Sequence, residues 1–139
     1  MNILFLGAPG SGKGTQSKNI ENKFNIPQIS TGDLLRAETA SESEMGQELK
    51  SIMSSGKFVS DDIVLKLVSK KITSDDCKNG FILDGFPRNL SQATSLDSLL
   101  NNLNLSIEYV FLIDVPTDLI IKRCVGRITC NTCGKIENE

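Results

Sequence analysis

The sequence predicts an α/β fold in which a parallel β-sheet is flanked by helices. Short apolar runs alternate with longer amphipathic stretches, which is the order expected of βαβ units. The apolar runs are nearly continuous, as is typical of parallel strands that are buried on both faces. The chain has 139 residues, of which 39% are hydrophobic and 23% are charged. This composition suits one compact domain with a substantial core.

Four apolar runs are the strand candidates, at residues 2–6, 28–29, 81–84 and 109–114. Helices are expected between and after them, over residues 15–24, 60–72, 90–100 and 117–124. The helix from Ser60 begins with a cap residue and two first-turn acids, followed by apolar residues at helical spacing. Residues 30–59 hold short helical pieces and no clear strand, which indicates an insertion that folds back over a site.

A glycine-rich segment, GAPGSGKGT at residues 7–15, follows the first apolar run and opens a helix. Glycines let the backbone wrap closely, so that several N–H groups point at one set of phosphate oxygens, and the new helix adds the positive end of its dipole. Lys13 supplies a cation for the terminal phosphates. The general pattern has Ser or Thr directly after the lysine, whereas here Gly14 intervenes and the hydroxyl comes at Thr15. The segment predicts a nucleoside triphosphate site; the alternative is a flexible turn that contains a lysine.

A second informative segment is GFILDGFPR at residues 80–88, where a buried strand ends in Asp84 and a tight turn delivers Arg88. An Asp at the carboxyl end of a strand next to a phosphate loop is expected near magnesium-bound phosphates, as an outer-sphere partner of Mg²⁺. Arg88 suits bidentate recognition of a phosphate. The alternatives are that Asp84 caps the following turn and that Arg88 forms a surface ion pair.

The segment STGDLLR at residues 30–36 offers a hydroxyl, a glycine and a helix start, with Arg36 one turn further on. It predicts a second anion pocket, although by itself the pattern is equally that of an ordinary helix cap. Lys57 and Gln92 carry no signal of their own, since most such residues are solvated.

The composition also excludes several classes of function. The net charge is −2, so nothing suggests a general nucleic-acid or membrane-binding surface. No apolar run is long enough to cross a bilayer, and the first run is too short for a secretory signal. The four cysteines are therefore expected to be reduced thiols in the cytoplasm. The chain contains no histidine, which excludes imidazole catalysis and histidine metal ligands.

Five segments together resemble the adenylate kinases in residue type and spacing: GAPGSGKGTQ, PQISTGDLLR, GKFVSDDIV, NGFILDGFPR followed by Gln92, and DVPTDLIIKRCVGR. The resemblance implies a P-loop NTPase core, an α/β fold with a parallel sheet flanked by helices, at residues 1–29 and 60–125. It implies a small helical AMP-binding insertion at residues 30–59 and the start of a mobile lid at residues 126–139. The reaction implied is reversible transfer from Mg-ATP to AMP, giving two ADP, in nucleotide homeostasis.

The resemblance also implies the role of each site residue. The ATP phosphates would be held by Gly10, Ser11, Gly12, Lys13, Gly14 and Thr15, with Arg123 and Arg127 reaching ATP from the hinge of the lid. The AMP pocket would be lined by Thr31, Arg36, Lys57, Val59, Gly85, Arg88 and Gln92. Arg36 and Arg88 would grip the AMP phosphate, and Gln92 and Thr31 would contact the adenine. The catalytic charges would come from Lys13, Arg36, Arg88 and Arg123. Mg²⁺ would accompany ATP, with Asp84 and Thr15 in its outer sphere.

Cys130 and Cys133 resemble the first half of a structural zinc site. A tetrahedral zinc ion needs two further ligands to complete such a site. No second pair follows in this sequence, so Zn²⁺ is expected only if the missing ligands are supplied from elsewhere. The resemblance further implies that the sequence stops within the lid. We therefore expect weak or absent turnover by this chain alone. The resemblance implies a monomer, but we also expect an exposed apolar sheet edge at residues 109–114 through which this chain self-associates.

Three alternatives remain at this point. The first is a kinase for another nucleoside monophosphate, UMP or CMP; Thr31 argues against it, because pyrimidine-directed relatives commonly have a small apolar residue at the matching place. The second is a nucleotide-binding fragment without turnover. The third is some other P-loop small-molecule kinase or ATPase, which the turn from Asp84 to Arg88 disfavours.

Overall fold

The computed structural model describes residues 1–55, 59–130, 132 and 136–138, and its centre is a four-stranded parallel sheet. The strands are β1 (Asn2–Gly7), β2 (Gln28–Ser30), β3 (Phe81–Asp84) and β4 (Tyr109–Ile113). Their order in the sheet is β2-β3-β1-β4, and all three pairings are parallel. The predicted α/β class and all four predicted strands are confirmed, with bounds that differ by one residue at most.

The described residues also form six helices: α1 (Lys13–Phe24), α2 (Thr31–Thr39), α3 (Glu44–Ser54), α4 (Asp61–Ile72), α5 (Leu90–Asn102) and α6 (Thr117–Val125). A 3₁₀ turn, Asp75–Cys77, precedes β3. Helix α1 starts two residues earlier than expected, because Gly12, at φ 101°, ends the loop directly before Lys13. None of the helices in the described ranges combines the length and the apolar character that a bilayer crossing requires.

The register of the sheet aligns the carboxyl ends of the first three strands. Phe5 of β1 and Ser30 of β2 both lie opposite Asp84 of β3. Because the strands are parallel, the segments that leave them emerge at the same edge. These are the glycine-rich loop after β1, the start of α2 after β2 and the turn after β3. The pairing thus brings all three sequence-predicted phosphate segments together.

The core has two layers, one on each face of the sheet. Leu4 and Leu83 belong to the larger cluster, which includes Val68 of α4 and Leu96 of α5. Ile3, Phe5 and Ile82 belong to the smaller cluster, against which Ile20 of α1 packs. Alternation of side chains along β1 and β3 therefore supplies both layers, as the nearly continuous apolar runs predict.

Strand β4 differs from the expectation that all four strands are buried on both faces. Tyr109, Val110, Phe111 and Leu112 expose 51%, 57%, 45% and 70% of their surfaces. The reason is positional: β4 is the last strand of the sheet and pairs only with β1 among the described residues. The prediction of an exposed apolar edge at this strand is confirmed, whereas the prediction of burial on both faces is wrong for it.

Apart from Ser30, which ends β2, the described part of residues 30–59 consists of α2 and α3 with the short connections around them, as the sequence predicts. The two helices approach closely at Gly46, where an added Cβ would overlap the carbonyl oxygen of Glu38 and lie 2.7 Å from that of Ser41. Glu38 is tied down by Ser43, whose hydroxyl donates to Oε1 at 2.6 Å, and by Lys70 of α4 at 3.7 Å. The hydrogen bond from Ser43, together with the charge of Lys70, holds the pKa of Glu38 below its usual value.

One feature near the C-terminus is missed by sequence reasoning. Strands β5 (Arg127–Thr129) and β6 (Ile136–Asn138) form a small antiparallel pair. Each strand has only three residues, which is too short for a period-two pattern to be recognised. The predicted start of a lid at residue 126 coincides with the end of α6, and the assignment of this segment stays a prediction.

We predict that Gly46→Ala destabilises the chain by about 1–3 kcal/mol, because the new methyl group meets fixed backbone oxygens. Gly32→Ala is the matched control: Gly32 is also helical, but its Cβ would meet only the flexible end of Arg36, at 3.3 Å. Alanine there should be neutral or stabilise the fold by up to about 1 kcal/mol through helix propensity. Urea unfolding of the two variants measures the difference. Equal midpoints would contradict the packing of α2 on α3.

Candidate functional site

The glycine-rich loop after β1 folds around the ammonium group of Lys13. The Nζ atom donates to the carbonyl oxygens of Gly7 at 2.7 Å and Ala8 at 2.9 Å. Gly10 and Gly12 adopt φ angles of 80° and 101°, a region that costs most other residues strain. The loop therefore places one cation next to a left-handed turn and the amino end of α1, which is the arrangement of a phosphate cradle.

Ser11, in the same loop, is 5% exposed, and its hydroxyl has no hydrogen-bond partner among the described residues. A buried, unsatisfied hydroxyl costs about 1–3 kcal/mol. The backbone of Gly7 passes close to this hydroxyl and to β4. A Cβ added at Gly7 would lie 2.9 Å from Oγ of Ser11 and 2.6 Å from the carbonyl oxygen of Ile113. Gly7 is thus required by the approach of the loop to β4, and Ser11 retains unused hydrogen-bonding capacity within the cradle.

Helix α6 packs directly on the loop. Nη1 of Arg123 donates to the carbonyl of Gly10 at 3.3 Å, and the thiol of Cys124 donates weakly to the carbonyl of Pro9 at 3.5 Å. A Cβ at Gly10 would lie only 3.0 Å from the Cys124 sulfur. The structure therefore brings Arg123, one of the sequence-predicted ATP-binding residues, to the phosphate loop from more than a hundred residues away in the chain.

Asp84 ends β3 beside the same loop. A Cβ at Gly14 would lie 3.6 Å from Oδ2 of Asp84, and this oxygen also accepts a hydrogen bond from Nε2 of Gln28 at 2.8 Å. Thr15, at the first turn of α1, is exposed. A carboxylate and a hydroxyl next to a phosphate cradle are the oxygen donors that Mg²⁺ prefers, so the residues present fit this ion. Gln28 is a residue that sequence reasoning did not name, and a single glutamine at a strand start carries no pattern that would reveal it.

A second polar cluster lies across β3, where the chain turns from Asp84 to Arg88. Arg88 donates from Nε to the carbonyl of Gly85 at 2.7 Å and from Nη2 to Oγ1 of Thr31 at 3.3 Å. Thr31 is 3% exposed and donates to the same carbonyl at 3.4 Å. The structure therefore brings three of the predicted AMP-binding residues into contact at the carboxyl end of the sheet.

Arg36 sits on α2 one turn after Thr31, and its guanidinium pairs with the carboxylate of Asp33 on the same helix. The Arg36 side chain is 69% exposed. A Cβ at Gly32 would lie 3.3 Å from one of its guanidinium nitrogens. The sequence names Arg36 but not this partner. Any anion that Arg36 binds must therefore compete with Asp33 for its charge.

Gln92 is buried, at 8% exposure, although a glutamine considered from the sequence alone is expected to be solvated. Its Oε1 accepts from the backbone N–H of Arg88 at 2.7 Å, and its Nε2 donates to Oδ1 of Asp61 at 2.6 Å. Asn89, the N-cap of α5, accepts from the backbone N–H of Gln92 at 2.8 Å. The spacing of Asn89 and Gln92 is that of a capping box, which is the sequence signal that could have located both residues.

Several of the predicted site residues do not take part in the contacts described above. Lys57 and Cys133 lie outside the described residues. Val59 is half-buried just before α4, and Arg127 is exposed at the start of β5. Among the described residues no three His, Cys, Asp or Glu side chains form a group that could hold a metal ion. Cys130 is exposed, and its expected role in a zinc site remains a prediction.

A parallel sheet with a glycine-rich loop between its first strand and first helix, and an Asp at the end of the adjacent strand, is the fold of a P-loop NTPase. Residues 5–138 match the family model described as adenylate kinase. The chain therefore belongs to the adenylate kinase family, and the resemblance drawn from five sequence segments is confirmed.

Curated relatives named adenylate kinase match this chain over almost its full length. One from Thermodesulfovibrio yellowstonii is 50% identical over 138 residues, which are 99% of this chain and 64% of that protein. One from Archaeoglobus fulgidus is 47% identical over 98% of this chain and 63% of that protein. One from Listeria monocytogenes is 45% identical over 100% of this chain and 65% of that protein. The chain thus spans a little less than two thirds of the length of these relatives.

We predict that the thiols of Cys77 and Cys124 differ in reactivity. Burial raises the pKa of the Cys77 thiol, and the opposing effects of Ser74 and Lys71 are smaller. Since the thiolate is the reactive form, a raised pKa leaves less of it at any pH below that pKa. Iodoacetamide at about pH 8 should label exposed Cys124 at least about tenfold faster than buried Cys77, as followed by peptide mass spectrometry. Both should react alike in urea. Equal rates in the folded chain would contradict the packing around Cys77.

Proposed function

We propose that this chain carries the phosphate loop and the AMP pocket of an adenylate kinase, which moves a phosphoryl group reversibly between Mg-ATP and AMP to give two ADP. The observation that carries the proposal is the position of β3, which ends between two sites for anions. Asp84 lies beside the glycine-rich loop, and Gly85, the next residue, accepts the hydrogen bond of Arg88 in the second cluster. The two proposed phosphate sites are one residue apart at the end of the same strand. This arrangement suits phosphoryl transfer between two bound nucleotides.

The proposed core comprises residues 1–29 and 60–125, the AMP-binding insertion residues 30–59, and the start of the lid residues 126–139. On the donor side, Lys13 and the N–H groups of residues 10–15 hold the ATP phosphates, and Arg123 adds charge at Gly10. Arg127 is proposed to reach ATP from the lid. The unsatisfied hydroxyl of Ser11 supports this assignment, because a phosphate oxygen would supply its missing partner.

On the acceptor side, Arg36 and Arg88 grip the AMP phosphate, and Thr31 and Gln92 contact the adenine. The remaining lining residues are Gly85, Val59 and Lys57. The φ of 78° at Gly85 and the contact between Arg88 and Thr31 support a pocket built around this turn. Arg88 is held by two acceptors within the cluster, so its planar guanidinium is already oriented before a phosphate arrives.

Magnesium is the proposed cofactor, and Asp84 and Thr15 would hold it in its outer sphere. When bound with ATP, the ion neutralises charge on the phosphate oxygens. The hydrogen bond from Gln28 fixes Oδ2 of Asp84 in place, which supports a positioned carboxylate rather than a mobile one. A structural Zn²⁺ is proposed only where further ligands join Cys130 and Cys133.

The chain's own residues perform the transfer by position and charge. Phosphoryl transfer spreads negative charge over the equatorial oxygens, and Lys13, Arg36, Arg88 and Arg123 are the cations proposed to stabilise it. No imidazole is needed for this chemistry. Water must be excluded, or ATP would be hydrolysed, and closure of residues 30–59 over the site would exclude it. We expect weak or absent turnover from the 139-residue chain alone, whose match covers 64% of the relative from Thermodesulfovibrio yellowstonii.

The proposed cellular setting is the cytoplasm. Within the part of the chain that the structure describes, Cys77 and Cys124 form no disulfide, which is consistent with a reducing compartment.

We predict that Lys13→Met lowers the affinity for Mg-ATP by at least about tenfold, because a charge-assisted contact to the phosphates is lost. Lys18→Met is the matched control: Lys18 lies on the same helix, is 63% exposed and pairs only with Glu21 among the described residues. Calorimetric titration of both variants and the parent chain gives the affinities. Equal affinity in parent and Lys13→Met would overturn the phosphate-loop assignment.

The same proteins, assayed for ADP formation from ATP with AMP, UMP or CMP, separate the competing functions. Slow ADP formation that prefers AMP and disappears in Lys13→Met supports the proposal. Preference for UMP or CMP would make the chain a pyrimidine-nucleotide kinase. Binding of both nucleotides with no ADP would leave a nucleotide-binding fragment without turnover.

We further propose that the chain associates with a second copy of itself through β4. Four apolar side chains of this strand are each at least 45% exposed, and the strand contains no charged residue. No described strand covers its outer edge. Such an edge lacks the lysines, prolines and bulges that keep strands apart. A net charge of only −2 opposes association weakly. Pairing of the β4 edges of two chains would satisfy the outward-facing backbone N–H and C=O groups of both strands. It would also shield Tyr109 and Phe111, whose rings already stack on each other.

Leu112→Lys should therefore shift the chain towards monomer, since Leu112 is 70% exposed on the open strand. Leu90→Lys is the control, because Leu90 is 83% exposed at the start of α5, away from β4. Sedimentation velocity over a range of concentrations measures the effect. A parent chain that sediments as a monomer throughout the range refutes association through this strand.

A further inference from the structure

Asp61, a residue without an assigned role, connects the amino ends of two helices at the second cluster. It is the first residue of α4, and its carboxylate accepts hydrogen bonds from α5 and from the residue that caps it. Oδ1 accepts from Nε2 of Gln92 at 2.6 Å, and Oδ2 accepts from Nδ2 of Asn89 at 3.5 Å. The shorter contact is the stronger one, and it joins a carboxylate to the buried amide of Gln92.

The two partners of the Gln92 amide fix which way round it sits. The backbone N–H of Arg88 can only donate, so the atom facing it at 2.7 Å must be Oε1. The ionised carboxylate of Asp61 can only accept, so the atom facing it must be Nε2. A turn of the amide by half a rotation would set donor against donor and acceptor against acceptor in a site that is 8% exposed. Both contacts therefore select the same orientation, and burial makes the other one costly.

This orientation leaves a defined pair of groups for a ligand. An amide nitrogen has two N–H groups and its oxygen has two lone pairs, and one of each is used by Asp61 and Arg88. One donor and one acceptor remain, in a fixed order along the amide. The edge of adenine presents an amino donor next to a ring-nitrogen acceptor, whereas guanine and uracil present an oxo acceptor next to an imino donor. A free amide could turn to match either edge, but a fixed one matches only one.

We propose that Asp61 is a positioning residue, which locks the polarity of the Gln92 amide and thereby selects a base with an amino–imine edge over one with an oxo–imide edge. The base-selective part rests on the function proposed above, which puts a nucleoside monophosphate at this cluster. The locking of the amide does not, since it concerns only contacts within the chain. The two parts are therefore tested by separate measurements on the full chain.

The substitution Asp61→Leu tests the lock, because it keeps the approximate size of the side chain but offers the Gln92 amide nitrogen no acceptor. Asp62→Leu is the matched control: Asp62 is the next residue, exposed, in the same first turn of α4, so both variants lose one first-turn negative charge. Asp61→Glu retains a carboxylate and should retain the lock in part. Thermal unfolding of the three variants establishes that each is folded before the comparison is made.

The readout of the lock is the side-chain amide of Gln92 in ¹H–¹⁵N NMR spectra. The parent chain should show two well-separated Gln92 N–H resonances, one of them protected from exchange by the bond to Asp61. Asp61→Leu should move the protected resonance towards the shift of an exposed glutamine and speed its exchange, while Asp62→Leu leaves both resonances unchanged and Asp61→Glu lies between. Gln92 resonances and exchange rates that are the same in Asp61→Leu as in the parent chain would overturn the proposal.

The readout of selectivity is calorimetric binding of AMP and GMP. Asp61→Leu should weaken AMP binding by about tenfold and narrow the preference for AMP over GMP, whereas Asp62→Leu stays within about twofold of the parent. An unchanged preference in Asp61→Leu, with the NMR change present, would overturn the base-selective role and leave the lock. A parent chain that binds no AMP would overturn the proposed function and this role with it, while the NMR result still decides the lock.

Discussion

The parallel pairing of β1 with β3 is the constraint on which the rest of the site depends. It sets Phe5 opposite Asp84, so the glycine-rich loop and the turn to Arg88 leave the sheet side by side. A slip of one residue would move the side chains of one strand to the opposite faces of the sheet, so that Ile3 and Leu4 would exchange the two different core layers in which they pack. Hydrophobic packing in the strands thus fixes the spacing of polar groups at their ends.

Close contacts with β4 and α6 restrict two positions of the glycine-rich loop to glycine. Gly7 must be small because the carbonyl of Ile113 approaches it, and Gly10 because the sulfur of Cys124 does. The approach of α6 that requires Gly10 also delivers Arg123 to its carbonyl. Close packing and charge placement are therefore consequences of the same contact. The unsatisfied hydroxyl of Ser11 and the inward fold of Lys13 leave capacity for a ligand where these contacts converge.

Sequence reasoning reached the strands, the helices and the residues of the two phosphate segments, because each depends on local pattern. It missed what depends on distant partners. The exposed edge at β4 is predicted by the family resemblance, whereas the apolar run alone predicts burial on both faces, because the place of a strand in the sheet depends on its partners. The bonds from Gln28 to Asp84 and from Gln92 to Asp61 join residues 56 and 31 positions apart. The ion pair of Arg36 with Asp33 is local and could have been read from the helical spacing.

The central claim is that the cradle at Lys13 and the cluster at Arg88 face one another in a single cleft. Its most direct test is calorimetric titration of the chain with one compound in which two adenosines are joined through a polyphosphate chain. The account predicts one molecule bound per chain, more tightly than either nucleotide alone, with affinity lost in both Lys13→Met and Arg88→Lys. Two molecules bound per chain, or an affinity unaffected by one of these substitutions, would contradict it.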